Sequence, residues 1–313
     1  MELEIFIITY NRSSFLERTL STISNSKLNY LPVTVLDNCS SDDTRSVCEK
    51  FRSIFKSFNV CSNKKNIGLG ANYLRAVEMS SSLYTWVLCD DDYLDFSVVE
   101  DIFEVIRDGK IELIHVGAHP QADWPYSAQL KTPRQLLADG YNYFKYSSFI
   151  PCNIFLTESF DTHSIREGYN NVVNAYPHMP FFFKIFQENK LVYISKRQIV
   201  TARTDGQSYA WQQWILWWLQ TSKLLSNPED VRLAFLDQWG GELPDEILEY
   251  LVILCMDNKE HRRIIQGFIE DYLPRAVKQK FAKKNFLPQM KRSVHSIIGD
   301  ALYSKSKRFF KKS

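Results

Sequence analysis

Short apolar runs alternate with helical segments through the first hundred residues, and this alternation restricts the fold more than any other feature of the chain. The run Leu3–Thr9 (LEIFIIT) is rich in β-branched residues and nearly all apolar, as in a parallel strand buried on both faces. Similar runs recur at 31–36 and at Tyr84–Cys89, with amphipathic stretches between them. The pattern predicts a doubly wound α/β domain, in which helices flank a mostly parallel sheet.

The spacing of apolar residues also sets the bounds of the predicted elements. Near the N-terminus we predict helices at 14–24, 42–55, 71–79 and 98–108, and further strands at 58–61 and 111–116. Beyond a stretch rich in proline and aromatic residues, shorter elements are predicted at 133–137, 149–156, 180–188 and 191–195. Helices then follow at 211–224, 229–236, 242–256 and 262–272. We therefore predict one α/β domain over 1–208 and a helical C-terminal region over 209–313.

Charge and cysteine usage exclude several classes of protein. The 38 lysines and arginines nearly balance the 36 aspartates and glutamates, so overall charge gives no reason to expect a nucleic-acid binder. The cysteines lack zinc-ligand spacing and are expected to be buried thiols. No secretory signal is visible at the N-terminus, and no segment reaches the roughly 18 uncharged apolar residues that span a bilayer. We expect a cytoplasmic protein that meets a membrane only at its inner surface.

Three aspartates, Asp90, Asp91 and Asp92, come directly after the apolar strand at Tyr84–Cys89. The carboxyl ends of parallel strands meet in one crevice, so these side chains are expected beside the polar residues that follow the strands ending near Thr9 and Asp37. Adjacent carboxylates repel one another, and a hard divalent cation offsets that repulsion. The triplet therefore predicts a Mn²⁺ or Mg²⁺ site, with a solvated acidic loop as the alternative.

Four motifs follow the predicted strands in order: FIITYNR, VLDNCSSDDT, NKKNIGLGANYLRA and VLCDDDYL. In this order and at these spacings they resemble family 2 glycosyltransferases of the GT-A fold, with the likeness strongest over residues 3–120. The resemblance implies a nucleotide-sugar donor, UDP by family habit, and inversion at the transferred sugar. It also implies a metal that neutralises the leaving nucleotide diphosphate.

The resemblance also implies roles at the matching positions. Thr9, Tyr10 and Arg12 match the loop that packs against the nucleobase, and Asp37 matches the carboxylate that contacts it. The turn and helix lining the diphosphate–sugar cleft match Asn66, Gly68, Asn72 and Arg75. Asp90 and Asp92 match the outer residues of the DxD motif and are the expected metal ligands, with Asp90 near the ribose or sugar and Asp91 between them. For Arg12 and Arg75 a plain surface charge is the alternative.

Relatives usually carry an acidic pair before a helix in the second half of the domain, where an aspartate deprotonates the acceptor hydroxyl. This chain instead has NAYPHMP at 174–180, so His178 is the predicted base, because an imidazole titrates near neutrality. Alternatively, His178 positions the acceptor or caps the helix, and Asp161 or Glu167 is the base. Arg203, in the polar loop 201–208, is expected to reach the diphosphate or to be an ordinary surface residue.

Two C-terminal segments suggest contacts beyond the nucleotide. Four tryptophans at helical spacing suggest core packing, stacking on a sugar acceptor or membrane contact: Trp211, Trp214, Trp217 and Trp218. Residues 275–312 form a basic amphipathic pattern, which suits an anionic membrane surface and an acceptor anchored there by polyprenyl diphosphate. A solvated basic tail is the alternative.

The sequence thus favours a metal-dependent, inverting glycosyltransferase that acts on a glycan or lipid-linked acceptor in bacterial polysaccharide synthesis, such as O-antigen, capsule or lipooligosaccharide. Two other functions fit the same crevice. A sugar nucleotidyltransferase would normally carry a Gly-rich basic loop after the first strand, where this chain has TYNRSSF. A non-catalytic nucleotide-sugar-binding subunit would explain the missing acidic pair.

Overall fold

The computed structural model describes residues 2–118, 124, 127–203 and 211–286. The chain divides into two compact units, Met1–Asp205 and Gly206–Ser313. The predicted boundary after residue 208 lies in the segment 204–210, outside the described residues. Each unit has its own set of elements and its own apolar interior.

The first unit contains eleven strands and eight α-helices among its described residues. The strands are β1 (Leu3–Thr9), β2 (Val33–Asp37), β3 (Phe58–Ser62), β4 (Tyr84–Cys89), β5 (Tyr93–Leu94), β6 (Leu113–His115), β7 (Gly117–Ala118), β8 (Gln129–Lys131), β9 (Asn153–Leu156), β10 (Val192–Ile194) and β11 (Val200–Thr201). The helices are α1 (Ser13–Ser24), α2 (Thr44–Phe51), α3 (Leu69–Met79), α4 (Glu100–Asp108), α5 (Pro133–Ala138), α6 (Tyr143–Ser148), α7 (Thr162–Asn170) and α8 (Met179–Gln187).

Eight strands form the main sheet in the order β3-β2-β1-β4-β9-β6-β10-β8. Strands β1 to β4 run parallel, whereas β9 is antiparallel to both of its neighbours and β8 is antiparallel at the edge. A second, three-stranded sheet has the order β5-β11-β7. The predicted architecture, helices around a mostly parallel sheet, is therefore confirmed.

The core lies where the apolar runs predicted it. All seven residues of β1 are buried, and so are Leu16, Leu20 and Ile23, which form one face of α1. Each such side chain contributes about 1.5–3 kcal/mol on burial. Trp86 of β4 is also fully buried, and its indole N–H donates to the carbonyl oxygen of Pro151 at 2.8 Å. This packing fixes the parallel strands whose ends carry the polar residues.

The predicted elements differ from the structure mainly after residue 119. The short element predicted over 149–156, whose type was left open, is a 3₁₀ turn, Ile150–Cys152, followed by β9, since Pro151 has no N–H for a sheet ladder. Helices α6 and α7 were not predicted, because their sequences lack an extended apolar period. Asp161 caps α7 by accepting from the backbone N–H of Ser164 at 2.8 Å.

The second unit is helical over its described residues: α9 (Trp211–Ser222), α10 (Pro228–Asp237), α11 (Asp245–Asp257), α12 (Lys259–Tyr272) and α13 (Arg275–Phe286). Trp218 is buried and donates to the carbonyl oxygen of Ala234 at 3.2 Å, so this tryptophan packs inside the unit. Phe235 packs against Phe268 with ring centroids 4.7 Å apart. No helix in the described residues is long and apolar enough to cross a membrane. The basic segment beyond 286 lies outside the described residues.

Candidate functional site

The carboxyl ends of β1, β2 and β4 meet at one edge of the main sheet. Thr9 is paired with Asp37 across β1 and β2, and Ile8 is paired with Cys89 across β1 and β4. The hydroxyl of Thr9 donates to Oδ2 of Asp90 at 2.6 Å. The predicted convergence of the residues that follow these strands is therefore present.

Arg12 lies against the aspartate triplet, Asp90–Asp92. Its Nη1 is 2.7 Å from Oδ2 of Asp91 and 3.3 Å from Oδ1 of Asp90. The sequence prediction gave Arg12 a place beside the nucleobase, whereas here its guanidinium bridges two carboxylates. Because this cation sits between them, it offsets part of their mutual repulsion.

Asp90 and Asp92 are almost fully buried, with 2% and 6% of their surfaces exposed. Burial raises the pKa of Asp90 to about 6 and that of Asp92 to about 7, because removal from water disfavours the charged form. Both carboxyl groups therefore lose their protons at a higher pH than an exposed aspartate does. A divalent cation beside them would lower both pKa values and favour the charged forms.

The side chain of Asp92 has an unused acceptor. Its Oδ1 accepts from the backbone N–H of Arg203 at 3.1 Å, whereas Oδ2 is buried and has no hydrogen-bond partner among the described residues. A buried acceptor without a partner costs about 1–3 kcal/mol, so the atom suits a metal ion or a donor group as its partner. In the described ranges no three His, Cys, Asp or Glu side chains are arranged to hold a metal by themselves.

These observations fit a Mn²⁺ or Mg²⁺ ion held by one protein carboxylate and completed by phosphate oxygens. Asp92 is the better placed ligand. Asp90 was predicted as a second ligand, but its two oxygens already accept from Thr9 and Arg12. Each of these oxygens accepts one hydrogen bond and keeps a second lone pair, so Asp90 stays a candidate second ligand.

Helix α1 contacts the backbone of the triplet. The hydroxyl of Thr19 donates to the carbonyl oxygen of Asp90 at 2.8 Å. Arg18 Nη2 lies 2.5 Å from the carbonyl oxygen of Asp91 and 3.2 Å from that of Asp92. The sequence did not predict either residue as part of the site. Both lie in the middle of a predicted helix, in which only the apolar positions carried a recognisable pattern.

The loops after β1 and β2 are joined by hydrogen bonds. The backbone N–H of Asn11 donates to Oγ of Ser40 at 2.9 Å, and Oδ1 of Asn11 accepts from the backbone N–H of Ser41 at 2.7 Å. Tyr10, in the loop after β1, exposes 43% of its surface. Asp37, the last residue of β2, is buried and accepts from the backbone N–H of Ser40 at 2.9 Å. An exposed ring beside a buried carboxylate is a suitable platform for a nucleobase.

Asparagines lie side by side next to these loops. Nδ2 of Asn38 donates to Oδ1 of Asn66 at 2.8 Å, and Nδ2 of Asn63 donates to Oδ1 of Asn38 at 2.8 Å. The same Nδ2 of Asn63 donates to Oδ1 of Asn72 at 2.9 Å. Asn38 and Asn63 were not predicted, although each directly follows the last residue of a strand, which is the signal that would have found them.

The network fixes the turn that leads into α3. The backbone N–H of Gly68 donates to Oδ1 of Asn66 at 2.8 Å, and Gly68 has φ of +84°, a conformation that favours glycine. Nδ2 of Asn72 donates to the carbonyl oxygen of Leu36 at 3.1 Å, and Arg75 donates to Oδ1 of Asn63. The predicted group Asn66, Gly68, Asn72 and Arg75 is thus brought together, with Arg75 bound to the network.

His178 is buried among aromatic rings, contrary to its predicted role as an accessible base. Only 1% of its surface is exposed, and its Nε2 lies 3.0 Å from the carbonyl oxygen of Ser148. Tyr73 and Phe182 pack against the imidazole at centroid distances of 5.4 and 5.7 Å. Burial lowers the pKa of His178 to about 4, so the ring is neutral but has no open path to an acceptor. It makes no helix-capping hydrogen bond either.

Asp161 and Glu167, the alternative candidates for the general base, lie in and beside α7. Asp161 caps α7 and pairs with Lys184 at 2.8 Å. It follows β9, whose last residue, Leu156, pairs with Tyr84 at the start of β4, so Asp161 leaves the sheet at the edge opposite to the triplet. Glu167 is partly buried on α7 and accepts from Asn170 at 3.3 Å. The structure brings neither residue to the triplet.

Arg203 is the last described residue before the gap at 204–210. Its backbone holds Asp92, and its guanidinium carbon lies 4.2 Å from the ring centroid of Phe15. The remainder of the predicted loop, 204–208, is outside the described residues. Arg203 is therefore at the triplet, with its side chain over an aromatic ring of α1.

The chain is similar to an abequosyltransferase and to a chondroitin synthase. It is 31% identical to abequosyltransferase RfbV of Salmonella typhimurium over 98 residues, which is 30% of this chain and 29% of that protein. It is 24% identical to chondroitin synthase of Escherichia coli over 199 residues, covering 61% of this chain and 27% of the relative. The chain thus spans less than a third of the length of these two relatives.

Solved structures share the fold at low identity. TarS of S. aureus, residues 1–349 in complex with UDP-GlcNAc, superposes with a TM-score of 0.59 and 13% identity, covering 91% of this chain and 88% of that one. The mannosyltransferase PcManGT of Pyrobaculum calidifontis, in complex with GDP-Man and Mn²⁺, gives 0.55 and 14%, covering 93% and 88%. The predicted GT-A fold is confirmed.

The family model described as glycosyl transferase family 2 matches residues 4–189, more than half of the chain. The match contains every motif on which the predicted resemblance depended, from the strand β1 to the helix α8. The chain therefore belongs to glycosyl transferase family 2.

Proposed function

We propose that this protein transfers a sugar from a nucleotide-sugar donor, favoured to be a UDP-sugar, to a glycan or lipid-linked acceptor in bacterial polysaccharide synthesis. One observation carries the proposal: Oδ2 of Asp92 is buried without a partner at the carboxyl end of β4, where a ligand of a family 2 enzyme is expected. The abequosyltransferase and chondroitin synthase relatives support the polysaccharide setting.

The donor is proposed to lie across the ends of β1, β2 and β4. The exposed ring of Tyr10 stacks on the nucleobase, and Asp37 accepts a hydrogen bond from it. Asn66, the turn at Gly68, Asn72 and Arg75 line the diphosphate side. The complexes of the similar structures with UDP-GlcNAc and with GDP-Man support a diphosphate donor on this fold.

Asp92 is proposed to hold Mn²⁺ or Mg²⁺ against the donor, and Asp90 to contact the ribose or sugar. The ion would supply positive charge to the departing diphosphate. Arg12, whose guanidinium bridges Asp90 and Asp91 in this structure, is proposed to contribute positive charge at the same place, and Arg203 to reach the diphosphate with its side chain. The Mn²⁺ complex of the similar mannosyltransferase supports a divalent ion.

The transfer is proposed to invert the sugar, as the family resemblance implies. The acceptor hydroxyl must then lose its proton to a group outside residues 171–180, because that segment contains no Asp or Glu and its one histidine is buried. A non-catalytic nucleotide-sugar-binding subunit is the second candidate, and the same observation favours it. Detection of glycosylated product with any acceptor would eliminate this second candidate.

Calorimetry with UDP, GDP and dTDP tests the proposal directly. Each nucleotide is titrated into the chain with Mn²⁺, with Mg²⁺ and with EDTA. Metal-dependent binding of one nucleotide is the expected result and names the donor class. Absence of binding under every condition would reduce the triplet to an acidic loop and overturn the proposal. Flotation of the full chain with anionic vesicles tests the separate proposal that the basic C-terminal segment contacts a membrane.

A further inference from the structure

Helix α1 presents three side chains to the aspartate triplet at helical spacing. Phe15, Arg18 and Thr19 stand at positions i, i+3 and i+4, so they share one face of the helix. Arg18 and Thr19 donate to backbone carbonyls of the triplet, whereas the ring of Phe15 lies beneath the guanidinium of Arg203. We call these three residues the α1 face.

The α1 face holds three consecutive carbonyl oxygens. Thr19 donates to the first, at Asp90, and Arg18 Nη2 is within hydrogen-bonding distance of the second and third, at Asp91 and Asp92. These residues come after the last residue of β4, so no ladder of the main sheet fixes their backbone. Their position therefore depends on contacts of this kind.

Arg18 is used differently from Arg12. Arg12 pairs with carboxylates, whereas Arg18 forms no ion pair within the described residues and gives its hydrogen bonds to carbonyl oxygens. Its guanidinium carbon also lies 4.9 Å from the ring centroid of Tyr93 and 5.4 Å from that of Phe15. Contacts with these two rings limit the movement of the guanidinium, as expected for a residue that holds other groups in position.

We propose that Arg18 is a positioning residue for the metal ligand Asp92. By holding the carbonyls of Asp91 and Asp92, Arg18 keeps the side chain of Asp92 where Oδ1 meets the backbone of Arg203 and Oδ2 stays open for the ion. The inference rests on the proposed function, because it requires Asp92 to bind a divalent cation. Arg18 itself touches neither donor nor ion.

The test is direct Mn²⁺ binding by the full chain, with and without UDP, followed by the electron paramagnetic resonance signal of free Mn²⁺. Replacement of residues that orient a metal ligand typically weakens metal affinity about 10–100-fold, and we expect Arg18→Ala to do so. Arg18→Lys, which keeps the charge but not the fork of donors, should fall between Arg18→Ala and the unchanged chain. Arg52→Ala is the matched control, because Arg52 is exposed and, within the described part of the chain, forms its ion pair with Glu49 of α2.

Chemical rescue separates positioning from general stability. Free guanidinium at about 10 mM, far below the molar concentrations that unfold proteins, should restore Mn²⁺ affinity to Arg18→Ala and leave Arg52→Ala unchanged. A purely structural defect would not respond to so small an amount. If Arg18→Ala does not fold, the graded loss in Arg18→Lys carries the test by itself.

The outcomes distinguish this inference from the proposed function. If Asp92→Ala abolishes Mn²⁺ binding while Arg18→Ala and Arg18→Lys bind as well as Arg52→Ala, Arg18 is not a positioning residue and the metal site stands. If the unchanged chain binds no Mn²⁺ with or without UDP, both the metal site and the role of Arg18 are overturned.

Discussion

The two halves of the α/β unit both bury ionisable groups, but they differ in the type of group that is buried. In the first half, residues 2–94, burial raises the pKa values of Asp90 and Asp92 to about 6 and about 7. In the second half, residues 113–194, burial lowers those of His115 and His178 to about 3 and about 4. Loss of water therefore favours the uncharged form in all four groups.

What differs is what surrounds each group. The aspartates lie at strand ends beside Arg12 and have one open acceptor, so a cation can restore their charge. The histidines lie among aromatic rings, as His115 does between Tyr141 and Tyr143 at 5.8 and 5.7 Å. A buried ionisable group is thus a proposed metal ligand in the first half and a core residue in the second. The following predictions test this contrast.

The largest expected effect is that of Asp92→Ala, which removes the open acceptor. We expect sugar transfer, measured as release of nucleotide diphosphate, to fall by about 100-fold or more. The melting temperature should not fall, because a buried and partly unsatisfied carboxylate is removed. Asp95→Asn is the control, since Asp95 is an exposed cap three residues away. Normal turnover in Asp92→Ala would mean that Asp92, like the buried histidines of the second half, has no role in the reaction.

Acid should weaken metal binding by an amount set by Asp92. A carboxylic acid with a raised pKa keeps its proton to higher pH, and only the deprotonated form binds the ion. Mn²⁺ affinity should therefore be constant above pH 7 and fall up to about tenfold per unit below it. Calorimetric titrations at several pH values measure this. An affinity that is constant down to pH 5 would mean that Asp92 is not the ligand.

His178→Phe should lower stability but spare turnover. The change removes the hydrogen bond between Nε2 of His178 and the carbonyl oxygen of Ser148, at a cost of about 0.5–1.5 kcal/mol in the free energy of unfolding. Loss of a general base would instead reduce turnover by about 100-fold to 10,000-fold. Urea unfolding and turnover assays measure both quantities, with His163→Phe on the exposed face of α7 as control. A collapse of turnover with retained stability would restore His178 as the base.

Asp161→Asn has the smallest expected effect. Asparagine can keep the helix cap but loses the charge paired with Lys184, a half-exposed ion pair worth about 0.2–1 kcal/mol. Turnover should not change, because Asp161 lies at the sheet edge opposite to the triplet. Burial alone would raise the pKa of Asp161, but hydrogen bonds from Lys184 and Ser164 lower it to about 2, so the contribution to stability is lost progressively as the pH falls from about 4 to about 2. Loss of turnover in this variant would identify Asp161 as a base.

The strand ends were predictable because their chemistry follows from chain order. Apolar runs fixed β1 and β4, and polar residues directly after them had to meet at one edge, so the neighbourhood of Thr9, Asp37 and Asp90 could be named from sequence. The environment of His178 could not. Its burial depends on the ring of Tyr73 in α3 and on the backbone of Ser148 at the end of α6, and both are distant from His178 in sequence.

The place of Arg12 was missed for a related reason. The family resemblance placed all of the loop after β1, including Arg12, beside the nucleobase. A long side chain such as that of Arg12 can, however, contact atoms far from its own backbone. Its guanidinium extends to Asp91, and Tyr10 alone keeps an open ring on that loop. Residue type and loop position therefore predicted the crevice but not which neighbour each side chain would contact.

The small sheet β5-β11-β7 connects Gly117 to the residue that follows Asp92, the proposed metal ligand. Gly117 is paired with Val200, and a methyl group added at Gly117 would lie 2.5 Å from the carbonyl oxygen of Val200. The next residue of β11, Thr201, is paired with Tyr93, which directly follows Asp92. A side chain at position 117 would therefore shift β11 and, through Tyr93, the backbone at Asp92. In a screen of random variants, such substitutions should reduce turnover as substitutions at the aspartate triplet do, although residue 117 itself is not part of the proposed donor site.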